Sequence, residues 1–264
     1  MITAVDLTID ELLFIADKLS VTTEFPICLG IHPNIFHDDV RARVREAVSQ
    51  ELTFKQILDP AGNIHLEVEA MIMTAVRADS CIEARWYHTQ GEGSMVRFAI
   101  CRCGEDFLII ARSAGGGYQV VLQRISARVG VGGMAEAVVG QMAAASISTP
   151  IMGPVAELSV ATTIEDLTRY GADSRSAQAL LEAISKPESW VEFTATERLV
   201  GGTQERTSVS AGLLDSRLGR VVSIPRYANN ALYGSFCAGT TDNIDRALIE
   251  LTAFLPSGPW ELPR

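Results

Sequence analysis

Apolar positions along the chain follow two rhythms. In EVEAMIMTAV (67–76) and SAQALLEAI (176–184) they recur three and four apart, the spacing that lines one face of an α-helix. In MVRFAICR (95–102), YQVVLQ (118–123), GRVVSIPR (219–226) and ALYGSF (231–236) the runs are short, rich in β-branched and aromatic residues, and bounded by Gly and Ser, which predicts strands. The last helical pattern carries Ile244, Ala247, Leu248, Leu251 and Leu255 on one stripe, with Asp242 placed to cap its start. Thr8 with Glu11 and Thr162 with Glu165 have the spacing of a capping box, in which each partner satisfies a free backbone N–H of the first turn.

The pattern occurs twice. EVEAMIMTAVRADSCIEARWY (67–87) parallels SAQALLEAISKPESWVEFTAT (176–196): a helix, a polar break, then a strand with an aromatic residue. MVRFAICRCGEDFLIIAR (95–112) parallels SVSAGLLDSRLGRVVSIPR (208–226), with turns at Gly104 and Gly219. A further strand and a closing helix follow in each copy, GGMAEAVVGQM (132–142) in the first and DNIDRALIELTAFL (242–255) in the second. Helices over one face of an antiparallel sheet make an α+β layout. The expected chain is one body with an N-terminal subdomain of about residues 1–142 and a C-terminal subdomain of about 155–264. The two are joined at AAASISTPIMGP (143–154) and related by a pseudo-two-fold axis through a central, mainly antiparallel sheet.

Composition narrows the function classes. At 264 residues and 47% hydrophobic, the chain buries a core without help from disulfides or metal. A net charge of -10 disfavours nucleic acid. Arg41, Arg43 and Arg45 lie among acidic neighbours and read as a solvated helix face. No window is apolar enough for a membrane span, and the start VDLTID lacks the basic and apolar regions of a signal peptide. Five scattered cysteines, an odd number, point to reduced thiols and a cytoplasmic location.

Candidate chemistry is sparse. Cys101 and Cys103 share a strand face, but a zinc site needs a second ligand pair that the sequence does not supply. They read as two buried, apolar thiols. His32, His37, His65 and His88 form no metal-binding spacing. The glycines of SAGGGY (113–118) and GVGG (130–133) lack a phosphate-loop lysine and read as turn formers. No nucleophile with a base, metal cage or cofactor loop is found, so neither cofactor nor enzyme activity is expected. The alternatives are a metal- or thiol-dependent enzyme on the Cys101/Cys103 face and a scaffold component of a larger machine. Between IEARWYHT and SMVRFAICR, the polar run Gln90-Gly91-Glu92-Gly93 predicts a hairpin tip that projects beyond the sheet and can reach a partner.

The chain resembles the EspG family, ESX (type VII) secretion-associated chaperones of mycobacteria, and within it the members serving the ESX-one system. The resemblance is carried by VDLTIDELLFIADKL with FPICLGIHPNI, by MVRFAICRCG and Val191–Glu197, and by LLDSRLGRVVSIPR, LYGSFCAGT and LTAFLPSGPW, from about residue 4 to 260. It implies a non-enzymatic adaptor that binds the tip of the PPE subunit of a PE–PPE heterodimer, keeps that pair soluble and directs it to secretion. The free chain is expected to be a monomer or weak dimer. Carried onto this sequence, the family's contact regions fall at three places. They are the loop His88, Thr89, Gln90, Gly91, Glu92, Gly93 and Ser94; a helical part with Leu167, Tyr170, Gln178, Leu181 and Glu182; and a strand with Glu192, Thr194 and Thr196.

Overall fold

The computed structural model describes residues 2–21, 24–33, 37–89, 95–113, 119–228 and 231–261. Two compact units divide the chain, Met1–Cys81 with Val96–Ser126, and Ile82–Met95 with Ala127–Arg264.

In the first unit the strands β1 (Ala4–Thr8), β3 (Met95–Cys103), β4 (Asp106–Ser113) and β5 (Gln119–Ile125) lie in the order β1-β5-β4-β3, all antiparallel. Helices α1 (Ile9–Lys18), α2 (Asp38–Phe54) and α3 (Leu66–Val76) accompany them. Leu12, Ile15, Val68, Met71 and Ile72 from α1 and α3 pack on Ala99, Cys101, Leu108, Ile110 and Leu122 of the sheet. The expected capping box at Thr8 and Glu11 is present. Glu11 is buried and also accepts a 2.7 Å hydrogen bond from Lys55, which ties the end of α2 to the start of α1. Only Leu52 of α2 is buried; Arg41 and Arg43 are exposed as the charge pattern predicts, whereas Arg45 is half-buried, pairing with Asp17 and lying over the Phe14 ring of α1.

In the second unit β2 (Ser80–His88), β7 (Ser189–Arg198), β9 (Ala211–Ser216), β10 (Gly219–Ala228), β11 (Ala231–Ala238) and β6 (Ile151–Pro154) follow in that spatial order, and β8 (Gln204–Arg206) pairs with β7. Alternation gives the sheet two faces. One face meets α8 (Thr241–Thr252), whose Ile244, Ala247, Leu248 and Leu251 are buried, and α4 (Gly130–Val139) packs on α8. The other face meets α5 (Val155–Leu158), α6 (Ile164–Thr168) and α7 (Ser174–Ser185), through Leu158, Leu167, Ala177, Leu180, Ala183 and Val221. The α+β layout read from the two rhythms is therefore the observed one.

Three local expectations are corrected. The second capping box is Thr163 with Asp166, not Thr162 with Glu165, because Thr163 holds the extended backbone that precedes the helix. The cap of α8 is Thr240, whose hydroxyl accepts from Asn243 N–H, and Asp242 sits inside the first turn, where its charge suits the helix dipole. GVGG, read as a run of turn formers, instead makes the first turn of α4. Gly130 has the positive φ expected of a turn glycine, whereas Gly132 serves close approach: a Cβ there would lie 2.6 Å from Asp245 N and Thr241 O of α8. The glycines of SAGGGY lie outside the described residues.

The stretch 143–154 is built into the second unit. Ala145, Ile147 and Ile151 are buried, and Arg220 holds the segment by Arg220 N–H to Ala143 O (2.8 Å) and Ala145 N–H to Arg220 O (2.9 Å). The Arg220 side chain is itself buried. Nε and Nη2 bind the Asp215 carboxylate at 2.6 and 2.9 Å, Nη1 donates to Gly140 O at 3.0 Å, and Glu136 of α4 lies 3.9 Å away.

Three outcomes follow from these contacts. Arg220→Met strands Asp215 without its cation and lowers stability by about 3–5 kcal/mol, and adding Asp215→Leu recovers much of it, as denaturant titration would read. Gly132→Ala forces α4 off α8 and costs about 1–3 kcal/mol in the same assay. The third concerns Asp173, which caps α7. Its carboxylate accepts from Ser176 N–H and the Ser148 hydroxyl, both at 2.7 Å, and these bonds hold its pKa below the usual carboxylate range. A depressed folded pKa contributes stability above the unfolded value of about 3.9, and that contribution is lost as pH falls through the folded value. Asp173→Ala therefore melts below wild type at pH 7, with the gap narrowing below about pH 3.9.

Candidate functional site

The face of the second sheet that carries α5 and α7 is not fully covered. α7 lies over β9 and β10, and α5 lies over β6 and β11. Between these helices and the segment 206–210 runs a groove of about 660 Å³. Its floor is Glu192 and Thr194 of β7, Ser223 and Pro225 of β10, and Gly234 and Phe236 of β11. Val155 and Leu158 of α5 with Ile184 of α7 make the apolar wall, and Arg206, Thr207, Ser208, Val209 and Ser210 make the opposite, mainly polar wall. Ile184 is 49% and Val155 38% exposed, so the wall presents aliphatic surface to solvent.

Local sequence explains the gap. Gly153 of β6 pairs with Gly234 of β11, and a Cβ at Gly153 would lie 2.6 Å from the Tyr170 ring. Gly153 thus lets an aromatic ring lie against the sheet backbone, Gly234 lies next to Leu158 and Val155, and the Tyr170 hydroxyl reaches Glu157 of α5. That hydrogen bond pushes the phenol pKa up. α7 ends at Ser185 shortly after its buried stripe, so Ile184 is left at the uncovered edge.

The same sheet face continues past the groove toward β2. Glu192 meets Arg85 at 3.9 Å, and the rings of Tyr87 and Trp190 stack with centroids 5.0 Å apart and planes at 16°. Thr89 N–H and the Thr89 hydroxyl both donate to Glu188 O, at 3.0 and 2.8 Å, which pins the chain just before residue 90 beside β7. His88 packs on Trp86 at 4.0 Å.

The sequence-derived site residues separate into groups. Glu192 and Thr194 line the groove, and His88 and Thr89 stand at the root of the loop. Gln90, Gly91, Glu92, Gly93 and Ser94 lie outside the described residues. Leu167 is 2% exposed and belongs to the core, with Leu181 and Tyr170 packed against it. Gln178 is exposed on α7. Glu182 takes the Arg217 guanidinium at 2.6 Å, which holds its carboxyl below the usual range. Thr196 is buried opposite Arg206 of β8. Sequence reasoning missed Val155, Ile184, Arg206 and Tyr87, and it reached the strand that begins at Trp190 without singling out that residue. The signal for Trp190 was available, since it shares the even-numbered face of β7 with Glu192 and Thr194. Ile184 and Val155 carried none, because only the tertiary arrangement leaves them uncovered.

The thiols offer a different chemistry. Cys101 is fully buried as expected, whereas Cys103 is half-buried. Burial, and then Asp79 and Asp106, push the Cys103 thiol up, the direction opposite to an activated nucleophile. Among the described residues no three His, Cys, Asp or Glu side chains converge in a way that could hold a metal ion, and no helix is long and apolar enough to cross a membrane.

Comparison with known proteins places the chain. The EspG family model matches residues 8–250. The ESX-1 secretion-associated protein EspG1 of Mycolicibacterium smegmatis (strain ATCC 700084 / mc(2)155) is 44% identical over 259 residues, covering 98% of this chain and 90% of the relative. EspG1 of Mycobacterium tuberculosis is 42% identical over the same shares. The ESX-3 protein EspG3 of M. smegmatis is 26% identical, covering 97% of this chain and 89% of its own. A solved structure of the M. tuberculosis type VII secretion system chaperone EspG5 in complex with a PE25-PPE41 dimer shares the fold, with a TM-score of 0.74 at 18% identity over 99% of this chain and 100% of that one. Identity above 40% across nearly the full length ties the chain to the EspG1 type, and the chain belongs to the EspG family.

Proposed function

We propose that this protein is a cytoplasmic, non-enzymatic chaperone of an ESX-1-type secretion system. It binds the PPE subunit of a PE–PPE heterodimer at its apolar tip, keeps that pair soluble and directs it to the secretion machine. The observation that carries the reading is the half-covered sheet face of the second unit: an aliphatic wall, a strand floor that includes Phe236 and Glu192, and an aromatic pair on the same sheet face. Membership of the EspG family and the likeness to a chaperone solved with a PE–PPE dimer support it.

Such a face suits a partner of this kind. A specific interface buries roughly 800 Å² per partner, with an apolar centre and a polar rim. Ile184, Val155 and Phe236 supply the apolar centre, and Glu192 with Arg85 supplies rim polarity. Trp190 and Tyr87 are the side-chain types that dominate binding energy in such surfaces. Thr89, the last described residue before 90–94, is held next to this pair by its hydrogen bonds to Glu188. Covering an apolar tip removes surface that would otherwise aggregate. In the free state the chaperone is a monomer or weak dimer.

Co-expression with the PE–PPE pairs of the same genome, read by gel filtration, is expected to give a stable ternary complex with at least one pair. Ile184→Asp places a charge on the groove wall and weakens that complex about tenfold or more while leaving the melting temperature within about 2 °C, because Ile184 is half exposed. Separate elution of every pair from the wild-type chain would overturn the reading.

A further inference from the structure

The groove has a polar end whose chemistry is more selective than its apolar wall. Its charged residues, among those described, are Glu192 and Arg206. The two are satisfied differently. Glu192 faces the Arg85 guanidinium. Arg206 faces a hydroxyl instead: its Nε and Nη2 both donate to Thr194 Oγ1, at 3.3 and 2.9 Å. Among the described residues no carboxylate stands within ion-pair distance of Arg206, whereas Arg217, Arg220 and Arg226 of the same unit each hold one.

A guanidinium has five N–H donors in a planar fork. Two are used on Thr194, and the rest are left for solvent or a ligand. Thr194 is buried on the groove floor, so its hydroxyl fixes the plane of the fork rather than neutralising its charge. Ser208, Ser210 and Ser223 surround this end and can donate or accept further hydrogen bonds. The Thr207 hydroxyl is not available, since it accepts from Ala195 N–H and donates to Val209 O. A fixed, uncompensated guanidinium among hydroxyls matches a carboxylate, which it can take through two parallel hydrogen bonds. The chain as a whole carries -10 and repels strongly acidic surfaces. The complement of this groove is therefore an apolar segment that bears one carboxylate, not an acidic one.

We propose that Arg206 is the selectivity contact of the groove: it accepts an Asp or Glu carboxylate on the otherwise apolar PPE segment, and partners lacking that carboxylate are disfavoured. The proposal rests on the reading that the groove is the docking face. Its chemistry sets the partner apart from the many apolar tips that would fit the aliphatic wall equally well.

The test uses the full-length chain and whichever PE–PPE pair of the same genome co-elutes with it. Dissociation constants are measured by calorimetry for wild type, Arg206→Gln, Arg206→Glu and Ile184→Asp, each at about 0.05 and 0.3 M salt. Arg206→Gln is expected to weaken binding about ten- to hundredfold with an unchanged melting temperature and to flatten the salt dependence. Arg206→Glu weakens it further. Replacing the matching carboxylate on the PPE segment with Arg restores binding to Arg206→Glu but not to wild type. An unchanged constant for Arg206→Gln, beside a weakened one for Ile184→Asp, would overturn the proposal and leave the docking face standing. Unchanged constants for both, or no pair that binds wild type, would overturn the docking face and the proposal together.

Discussion

The second unit depends on the buried pair of Arg220 and Asp215. The two residues face each other across the β9–β10 ladder, and the guanidinium reaches out of that ladder to Gly140 O and toward Glu136. Glu136 in turn accepts from Thr241 at the start of α8. Asp215 also takes the Ser189 hydroxyl at the start of β7. One side chain therefore joins the sheet, the end of α4 and the entrance of α8, while its backbone holds the segment that leads into β6. Replacing such a pair by well-packed apolar residues often costs little, but removing one partner leaves a buried charge unsatisfied. Its value lies in specifying a single arrangement of the chain between α4 and β6.

The groove inherits that specification. The segment after Gly140 must run beside Arg220 for β6 to reach the outer side of β11, and α5 follows β6 with no intervening loop. The position of Val155 and Leu158 is thus fixed by where β6 pairs. On the other side, the twelve residues of α7 satisfy their buried stripe against β9 and β10 and then stop. The strip of sheet between two short helices stays open because neither has a further apolar turn to cover it. A third helix there would bury more apolar area, and its absence is a local cost in stability of the kind found where a surface is kept for binding.

Much of this fold was legible in the sequence, and the boundary of legibility is physical. Long periodic segments such as Ile244 to Leu251 announced themselves, because a stripe of four buried residues leaves few other solutions. The capping box at Thr8 and Glu11 was readable since both partners are local. The two misplaced caps each had a competing hydroxyl or carboxylate within two residues, and backbone extension at Thr163 and Thr240 decided between them. β1, β6 and β8 were missed: they are at most five residues long, and β1 and β6 pair with strands far away in sequence. Arg220 was unreadable for the same reason. In LGRVV it looks like a solvated residue after a turn, and only the distant chain at 140–145 buries it. The candidate site was half legible. The strand carrying Glu192 and Thr194 followed from resemblance, while Ile184, Val155 and Arg206 depend on which helix stops where.

A rigid groove suits a chaperone better than a loop alone would. Ordering a free loop on binding costs conformational entropy for each residue fixed, and that cost is subtracted from affinity. Side chains on paired strands have lost that freedom already. The Tyr87–Trp190 stack, the Thr89 clamp on Glu188 and the Thr194 hold on Arg206 each fix a group of the proposed docking face in the free chain. Exposed aliphatic surface on such a face would invite self-association. The net charge of -10 opposes it, because two copies approaching through the same face repel over a Debye length of about 10 Å at 0.1 M salt. A partner of the proposed kind, bringing one carboxylate to Arg206, would meet a local field of the opposite sign inside that range, so the acidity that opposes self-association and the Arg206 cation act on different encounters.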